Sequence, residues 1–380
     1  MMPVAPSREQ ICRSTAEALS LAVPGLPEIR AVLGFDGFVD EIIEVVDTRH
    51  DAEHYDPVSS IAAMARKILG ASGESSNYEM VIKQRKLGGN GPIMANALAR
   101  LGLRVTYIGS LGVPEPDPVF RDFAGRAELI SIANPGHTDA LEFADGKLML
   151  CKLQSLSEVT WENLVGRVGR PGLSDLMGRA SLIGMLNWTM LPGMGEIWDR
   201  LLVEVFPTLP EGRRTLFVDL ADPEKRTRGD LQQALGTITR FQERVDVILG
   251  LNLKEATQVA EVLGLPEHAD REAIIEEDAR SIRQALGLSC VVIHPRKAAA
   301  AATSTESALF FGPFIANPRI STGAGDHFNA GFCLGRILGM GLAESLCAGV
   351  ASSGYYVRNA TSASAAELAD FVIDLPMPQE

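Results

Sequence analysis

The sequence predicts an α/β fold in three layers: a central, mainly parallel sheet flanked by helices, with a small β-sheet lid. The composition is that of a folded protein, because 46% of the residues are hydrophobic and 22% are charged, while 36 Gly and 21 Pro separate many short elements. Short apolar strands alternate with helical patterns along most of the chain, which is typical of a parallel sheet covered on both faces. Residues 137–153 instead alternate in strand fashion around an Ala-Asp-Gly-Lys turn, which predicts a hairpin.

The elements follow one another in a regular order. Residues 7–22 show a helical pattern with Ser7 as a candidate N-cap, and residues 31–33 form the first strand. A β-rich run at residues 42–46 precedes a helical pattern at 58–69 and a glycine-dense turn that opens a helix at 93–101. Further strands are predicted at residues 105–109, 181–186, 215–220, 245–249 and 290–293, and further helices at 196–205, 231–240, 253–263, 273–286 and from 326 onward.

This order predicts one main domain with a short extension. We expect residues 1–30 to form an N-terminal helical extension and residues 31–375 to form the domain. Its lid segments are expected near residues 36–48 and 137–153, which together could make a second sheet lying across the main one.

Charge and cysteine content exclude several classes of protein. The chain has 35 Lys+Arg against 48 Asp+Glu, a formal net charge of −13, so a polyanion such as nucleic acid would be repelled. Its 5 Cys include no CxxC pair and predict buried thiols in a reducing compartment rather than a disulfide framework. No signal sequence or apolar stretch of membrane-spanning length is present. We therefore expect a cytoplasmic protein with neither nucleic acid nor a membrane as its partner.

The segment 320–332 carries the sharpest chemical signal. The small residues Gly323, Ala324 and Gly325 leave backbone amides uncovered where a helix begins near Asp326, so an anion could bind there. Asp326 could accept the proton of an attacking hydroxyl, as a catalytic aspartate does in phosphoryl transfer. The alternative is a helix N-terminus whose glycines only permit a tight turn.

The string STGAGD at residues 321–326, followed by Ala-Gly-Phe at 330–332, resembles the catalytic signature of the PfkB, or ribokinase-like, family of carbohydrate kinases. Three further features resemble that family in order and spacing: Gly34 with Asp40, the GGNG string at 88–91, and NLKE at 252–255. The resemblance extends from about residue 31 to the C-terminal helices. It implies a ribokinase-like fold and ATP-dependent phosphorylation of a hydroxyl on a sugar or sugar-like molecule.

The resemblance also implies a role for each of these residues. Asp326 would be the base, and the amides of residues 323–326 would stabilise the charge on the transferred phosphoryl group. The substrate would be held by Asp40, with Asp36 as a competitor for the same role, together with Gly88, Gly89 and Asn90. The glycines would let the backbone approach the ligand without a Cβ in the way.

The nucleotide side is implied in the same way. ATP and Mg²⁺ are the implied cofactors, and Asn252 and Glu255, three residues apart at a helix start, would hold magnesium through water. Asp219 or Asp222 could join this network, although Asp222 before a proline is equally typical of a turn. Thr322 and Arg296 would lie against the nucleotide phosphates. A homodimer through the lid is compatible with the resemblance.

The chain departs from the family pattern at several positions. Ile93 stands where the family has Asn, and Ile320 where an Asp often binds a monovalent cation. The family's Thr-x-Gly turn is replaced by HPRK at residues 294–297, where Arg296 or Lys297 could pair with phosphates or form a solvated turn. The helix-bearing insert at residues 47–86 is expected to reshape the sugar site.

Other functions remain as alternatives. These are a catalytically weak sugar- or nucleotide-binding member of the same fold, and a nucleoside kinase. A dinucleotide-dependent oxidoreductase is disfavoured because no G-x-G-x-x-G follows the first strand. A phosphorylated acceptor would require a basic cluster, for which the candidates are Arg49, His50, Lys83, Arg85, Lys86 and Lys152.

Overall fold

Two sheets organise the chain in the computed structural model, which describes residues 6–268 and 270–378, so residues 1–5 of the predicted extension lie outside it. The strands are β1 Arg30–Phe35, β2 Phe38–Arg49, β3 Tyr55–Pro57, β4 Met80–Gly88, β5 Arg104–Ser110, β6 Glu128–Ala133, β7 Gly136–Phe143, β8 Gly146–Lys152, β9 Leu182–Met185, β10 Thr215–Asp219, β11 Asp246–Leu251, β12 Cys290–Ile293, β13 Ala298–Thr303 and β14 Ser307–Phe311.

Thirteen α-helices connect or cover these strands in the described ranges. They are α1 Arg8–Ala22, α2 Ile61–Gly70, α3 Asn90–Leu101, α4 Arg121–Ala124, α5 Trp161–Val168, α6 Arg170–Arg179, α7 Met194–Arg200, α8 Arg228–Phe241, α9 Leu253–Val262, α10 Ile275–Leu286, α11 Ala324–Ile337, α12 Leu342–Asn359 and α13 Ala365–Ile373. The predicted helix at 196–205 is α-helical only to Arg200, and Leu201–Val205 continues it as a π-helical turn.

The main sheet has nine strands in the order β14-β13-β12-β11-β10-β9-β1-β5-β6. All its neighbours are parallel except at one edge, where β13 runs antiparallel to β12 and to β14. Side chains of each central strand alternate between two cores: Val291 and Ile293 belong to one, and Cys290 and Val292 to the other. The first core includes α5–α10 and the second includes α1, α3 and α11–α13, which makes the three layers.

The small sheet is the predicted lid. Strand β2 pairs with β3, β4 and β7, and β7 pairs with β8 in the predicted hairpin. Helix α2 covers part of it, with Met64 packing against Ile43 and Leu141. The insert at 47–86 therefore supplies two lid strands as well as its predicted helix. Strand β4 was not predicted because its side chains are mostly exposed and polar residues interrupt the alternation.

Several local predictions are confirmed. Ser7 caps α1 in a capping box with Gln10, and β12 occupies the predicted residues 290–293. Helix α1 packs against α12 and α13, and its separation from the domain at residue 30 stays a prediction. The cysteines are free, and four are buried as predicted, whereas Cys151 on outer lid strand β8 is exposed. Within the described ranges no helix is long and apolar enough to cross a membrane.

Close packing of α11 on α12 gives a stability prediction. A Cβ on Gly331, in the middle of α11, would lie 2.5 Å from the carbonyl oxygen of Ala348, which is backbone and cannot rotate away. We expect Gly331→Ala to lower the free energy of unfolding by about 1–3 kcal/mol, the usual cost of overpacking. Urea denaturation measures it.

The matched control is Gly236→Ala in α8, an exposed helical position where a Cβ meets nothing within 4 Å. This variant should gain up to about 1 kcal/mol, because alanine loses less backbone entropy than glycine in a helix. Equal effects of the two substitutions would contradict the packing argument.

Candidate active site

The predicted site residues gather at the carboxyl ends of the parallel strands, where open α/β sheets bind ligands. Asp36 follows β1, Asp219 ends β10 and Asn252 follows β11. The first turn of α11 brings Asp326 to the same edge, and the start of α3 brings Asn90.

Asp326 is buried, with 6% of its surface exposed. Its Oδ1 accepts a hydrogen bond from Asn90 Nδ2 at 3.1 Å, which joins the glycine signature of residues 88–91 to the STGAGD segment. Burial, together with the charges of Asp36 and Glu255, raises the pKa of Asp326 to about 8, and the bond from Asn90 opposes the rise. A carboxyl group poised near neutral pH suits a general base.

The backbone of residues 323–326 forms the start of α11. Gly323 is the N-cap in the left-handed region, with φ 92°, which favours glycine. The amides of Gly323 and Gly325 donate to no other residue in the described chain and are free for an anion, whereas the amide of Asp326 bonds to the carboxylate of its own residue. The amide of Ala324 donates to the carbonyl of Ser321 at 3.2 Å, so the predicted anion hole loses this donor.

Asp36 connects several elements of the site through hydrogen bonds. It is fully buried, and its carboxylate accepts bonds from the amide of Gly91 at 2.9 Å, Tyr107 Oη at 3.1 Å and Asn187 Nδ2 at 2.8 Å. Burial raises its pKa to about 6 against these three donors. Both carboxylate oxygens of Asp36 accept bonds from within the chain and the residue has no exposed surface, and its contact with the substrate stays a prediction.

Asp40 lies on lid strand β2, opposite Lys86 of β4 and Thr138 of β7. It is 5% exposed, and burial raises its pKa while Lys86 and a bond from Thr138 oppose the rise. Asp40 thus keeps the position expected of a substrate-binding carboxylate, on the strand that covers the site.

The glycines of residues 88–91 fit around these two aspartates. A Cβ on Gly88 would lie 2.3 Å from Asp40 Oδ1, and one on Gly89 would lie 2.7 Å from Asp36 Oδ2. The backbone of these glycines therefore lies against carboxylates of the chain itself, and its approach to a ligand stays a prediction.

Asn252 and Glu255 form a capping box at the start of α9. Asn252 Oδ1 accepts from the amide of Glu255 at 3.0 Å, while Glu255 accepts from the amides of Asn252 and Asp222, each at 2.8 Å. Glu255 is 3% exposed, and burial raises its pKa. Asp222 has φ 63° and its carboxylate pairs with Lys254 at 3.3 Å, as expected of a turn.

Asp219 lies between Glu255 and Asp326, and burial together with these two charges raises its pKa well above the usual range. Asn329 Nδ2 donates to Asp219 at 3.0 Å, while the buried Asn329 Oδ1 has no partner in the described chain. These oxygen atoms and the excess of negative charge fit a hard cation. Over the described ranges no three acidic, His or Cys side chains converge closely enough to ligate a metal directly, so contact through water fits better.

The turn at residues 294–297 contacts the site through His294, which the sequence analysis did not predict to be a site residue. Arg296 and Lys297 are exposed, whereas the His294 ring stacks on Phe328 with centroids 4.7 Å apart. A Cβ on Gly325 would lie 3.3 Å from His294 Cε1, and burial lowers the pKa of His294 to about 4. Ile93 also lies against this loop, because a Cβ added to Gly323 would be 3.1 Å from the Ile93 side chain. No local pattern marks either contact.

Comparison with known proteins agrees with this geometry. The family model described as prokaryotic ketohexokinase matches residues 10–374. The chain belongs to the prokaryotic ketohexokinase family. A ketohexokinase from Haloferax volcanii is 31% identical to this chain over 364 residues, which cover 94% of this chain and 96% of the relative. This protein is therefore a carbohydrate kinase, a phosphotransferase with an alcohol acceptor, as predicted.

Solved structures confirm the ribokinase-like fold of this ketohexokinase-family chain. A carbohydrate kinase from Agrobacterium tumefaciens is similar with a TM-score of 0.63 and 18% identity, covering 92% of this chain and 98% of that one. An Arabidopsis thaliana ribokinase, in complex with ribose and ATP, has a TM-score of 0.61 and 16% identity, covering 91% and 98%.

The buried charge of Asp326 makes stability depend on pH. Its pKa is raised to about 8 in the folded protein, so between about pH 4 and pH 8 the folded state binds a proton that the unfolded state has lost. Stability contributed by this group therefore falls as pH rises through that window, by about 1.4 kcal/mol per pH unit at most. Asp326→Asn in this family member should remove this slope.

The measurement is urea denaturation of the wild type and Asp326→Asn between pH 5 and pH 9. We expect the variant to be the more stable one by a margin that grows up to about pH 8 and then levels off. A margin independent of pH would contradict the placement of Asp326 as a buried carboxyl group.

Proposed function

We propose that this protein transfers the γ-phosphoryl group of ATP to a hydroxyl of a ketohexose such as fructose. The observation that carries the proposal is the buried carboxyl group of Asp326 beside the free amides of residues 323 and 325. The reaction is supported by the family and the substrate by the Haloferax relative, whose name is ketohexokinase.

In this proposal Asp326 accepts the proton of the substrate hydroxyl as its oxygen attacks the γ-phosphorus. The bond from that phosphorus to the β,γ-bridging oxygen breaks, and ADP leaves. Charge on the transferred group meets the free amides at the start of α11, which are aligned before the reaction begins. Asn90, bonded to Asp326, keeps the base oriented.

The acceptor in this proposal carries no phosphate, because the basic candidates for a phosphate site are used elsewhere. Most of these side chains pair with carboxylates: Arg49 with Glu79, His50 with Asp56, Lys83 with Glu44, Arg85 with Glu41, and Lys152 with Asp139. Lys86 alone among the candidates has no ion pair in the described ranges, and it lies across from Asp40. The other lysine near Asp40, Lys147, pairs with Glu142, so Lys86 is the one cation left over beside a carboxylate, an arrangement that suits a neutral polyhydroxyl compound better than a phosphate ester.

Magnesium would be held through water by Glu255 and Asn252 near the ATP phosphates, with Asp219 close by. The ion supplies charge neutralisation of the phosphates when bound. Without it, the charge of Glu255 raises the pKa values of Asp219 and Asp326, and the charge of Asp326 raises that of Asp219, in a buried region. Thr322 and Arg296 complete the proposed nucleotide side, the latter from an exposed turn.

Two further expectations stay predictions. A homodimer through the lid is supported by four large apolar side chains of the lid that are 43–50% exposed, Met80, Ile82, Met149 and Leu150. A cytoplasmic location is supported by the class of enzyme.

The proposed reaction is tested by magnesium-dependent ADP release with a panel of acceptors: fructose, fructose 6-phosphate, ribose and adenosine. We expect fructose to give the highest kcat/KM. Highest turnover of ribose or adenosine would replace the proposed substrate, and binding of nucleotide without turnover of any acceptor would favour the catalytically weak alternative.

The role of the base is tested in the same assay. Asp326→Asn should lower kcat about 10²–10⁴-fold, the usual contribution of a general base, while the protein stays folded. Asp122→Asn, an exposed aspartate on α4, is the matched control and should retain wild-type kcat. Normal turnover by Asp326→Asn would show that another group accepts the proton.

Asp40 gives a separate prediction for the sugar side. Removing its charge in Asp40→Asn should raise the KM for the sugar about 10-fold or more, as expected for lost hydrogen bonds to a charged group, with little change in the KM for ATP. Gly88→Ala should act in the same direction, because its Cβ would displace the Asp40 carboxylate.

The control is Gly70→Ala in the insert, where a Cβ meets nothing within 4 Å. Initial-rate kinetics with each substrate varied in turn separate the effects. An unchanged sugar KM in both lid variants would remove Asp40 from the proposed substrate site.

A further inference from the structure

Three side chains that the proposed reaction does not use hold the start of the anion-binding loop from behind. His327 Nδ1 lies 2.7 Å from the carbonyl oxygen of Gly323, and its Nε2 lies 2.8 Å from Ser362 Oγ. The His327 ring stacks on Tyr356, with centroids 3.6 Å apart and planes 13° from parallel. Tyr356 Oη donates to the carbonyl oxygen of Thr322 at 3.0 Å. Two consecutive carbonyl groups therefore each receive a side-chain donor.

The protonation of this group follows from its partners. A carbonyl oxygen only accepts, so His327 Nδ1 carries the proton, and Nε2 accepts from the Ser362 hydroxyl. Burial lowers the pKa of His327 to about 4, which keeps the ring neutral in this tautomer. Burial, with the charges of Asp326 and Asp40, raises the pKa of Tyr356 to about 12, so its hydroxyl remains a donor.

These bonds fix the orientation of backbone amides on the other side of the loop. In a trans peptide the carbonyl and the following N–H point in opposite directions, so fixing one fixes the other. The bond from Tyr356 to the Thr322 carbonyl thereby orients the Gly323 amide, which is free for an anion. The bond from His327 to the Gly323 carbonyl orients the next peptide, whose Ala324 amide closes the turn to Ser321.

We infer that Tyr356, His327 and Ser362 are positioning residues of the anion-binding loop. Tyr356 holds the Gly323 amide toward the γ-phosphoryl group, and His327, bonded to Ser362 and stacked on Tyr356, holds the peptide that follows. The inference rests on the proposed function and deepens it, because it assigns the alignment of the anion hole to residues outside the STGAGD segment. None of the three needs to touch the substrate.

The test compares Tyr356→Phe, which keeps the stacked ring and loses only the hydroxyl, with Tyr355→Phe as the matched control on the same helix. We expect Tyr356→Phe to lower kcat about 10-fold, with the KM for sugar and the affinity for ADP within twofold of wild type. The affinity for ADP with aluminium fluoride, which mimics the transferred phosphoryl group, should fall by a similar factor, because only that group meets the Gly323 amide.

A second pair of variants tests the histidine. His327→Leu removes the side-chain donor to the Gly323 carbonyl and leaves the bond from the His327 backbone amide at 3.1 Å, whereas His327→Asn retains an amide donor near the position of Nδ1 and should recover part of kcat and of the aluminium fluoride affinity. Calorimetric titration of ADP with and without aluminium fluoride gives a readout that a general loss of stability would shift for both ligands equally.

Two outcomes distinguish a failure of the positioning inference from a failure of the proposed function. If the wild type turns over a ketohexose and Tyr356→Phe retains wild-type kcat and aluminium fluoride affinity, the positioning inference is overturned and the proposed function stands. If the wild type neither phosphorylates an acceptor nor binds ADP more tightly with aluminium fluoride, the proposed function fails and the inference fails with it.

Discussion

The site depends on one electrostatic constraint: four carboxyl groups, those of Asp36, Asp219, Glu255 and Asp326, are buried at one edge of the sheet. The buried arginines of the described ranges bond elsewhere, Arg271 to Asp278 and Arg214 to the Gly178 carbonyl. Burial raises the pKa of each. Backbone and side-chain donors stabilise Asp36 and Glu255, whereas Asp326 has Asn90 as its one side-chain donor. Asp36 and Asp326, with pKa values raised to about 6 and about 8, both change charge near neutral pH, and of the two Asp326 lies beside the free amides at the start of α11, as a proton acceptor in phosphoryl transfer requires.

Much of the surrounding structure follows from accommodating these carboxylates. Glycine is present at residues 88, 89 and 91 because a Cβ there would collide with Asp40, Asp36 or Tyr107. The acidic chain, with a formal net charge of −13, binds its proposed anionic nucleotide through local features: free amides at the start of α11 and a cation attracted by the carboxylates. The lid carries Asp40 across this edge and would exclude water when substrate binds.

The predictable parts of the structure are those in which the deciding contact is local. Capping boxes at Ser7 and Asn252 connect residues three apart, and β12 is a short apolar strand. Strand β13 was missed because AAAAAT lacks β-branched residues before its last position; it is a strand because α10 and α12 pack closely against its small side chains. The bonds that Tyr107 and Asn187 donate to Asp36 could not be predicted, because these donors lie 71 and 151 residues away along the chain.

The central claim is that Asp326 is a buried carboxyl group poised near neutral pH, and its titration tests this most directly. Protein labelled with ¹³C at the aspartate carboxyl carbon would be titrated by NMR between pH 3 and pH 10, beside Asp326→Asn prepared in the same way. The account predicts one resonance with a midpoint near pH 8 that is missing from the variant. A spectrum in which the resonance lost in the variant titrates near pH 4, like an ordinary aspartate, would contradict it.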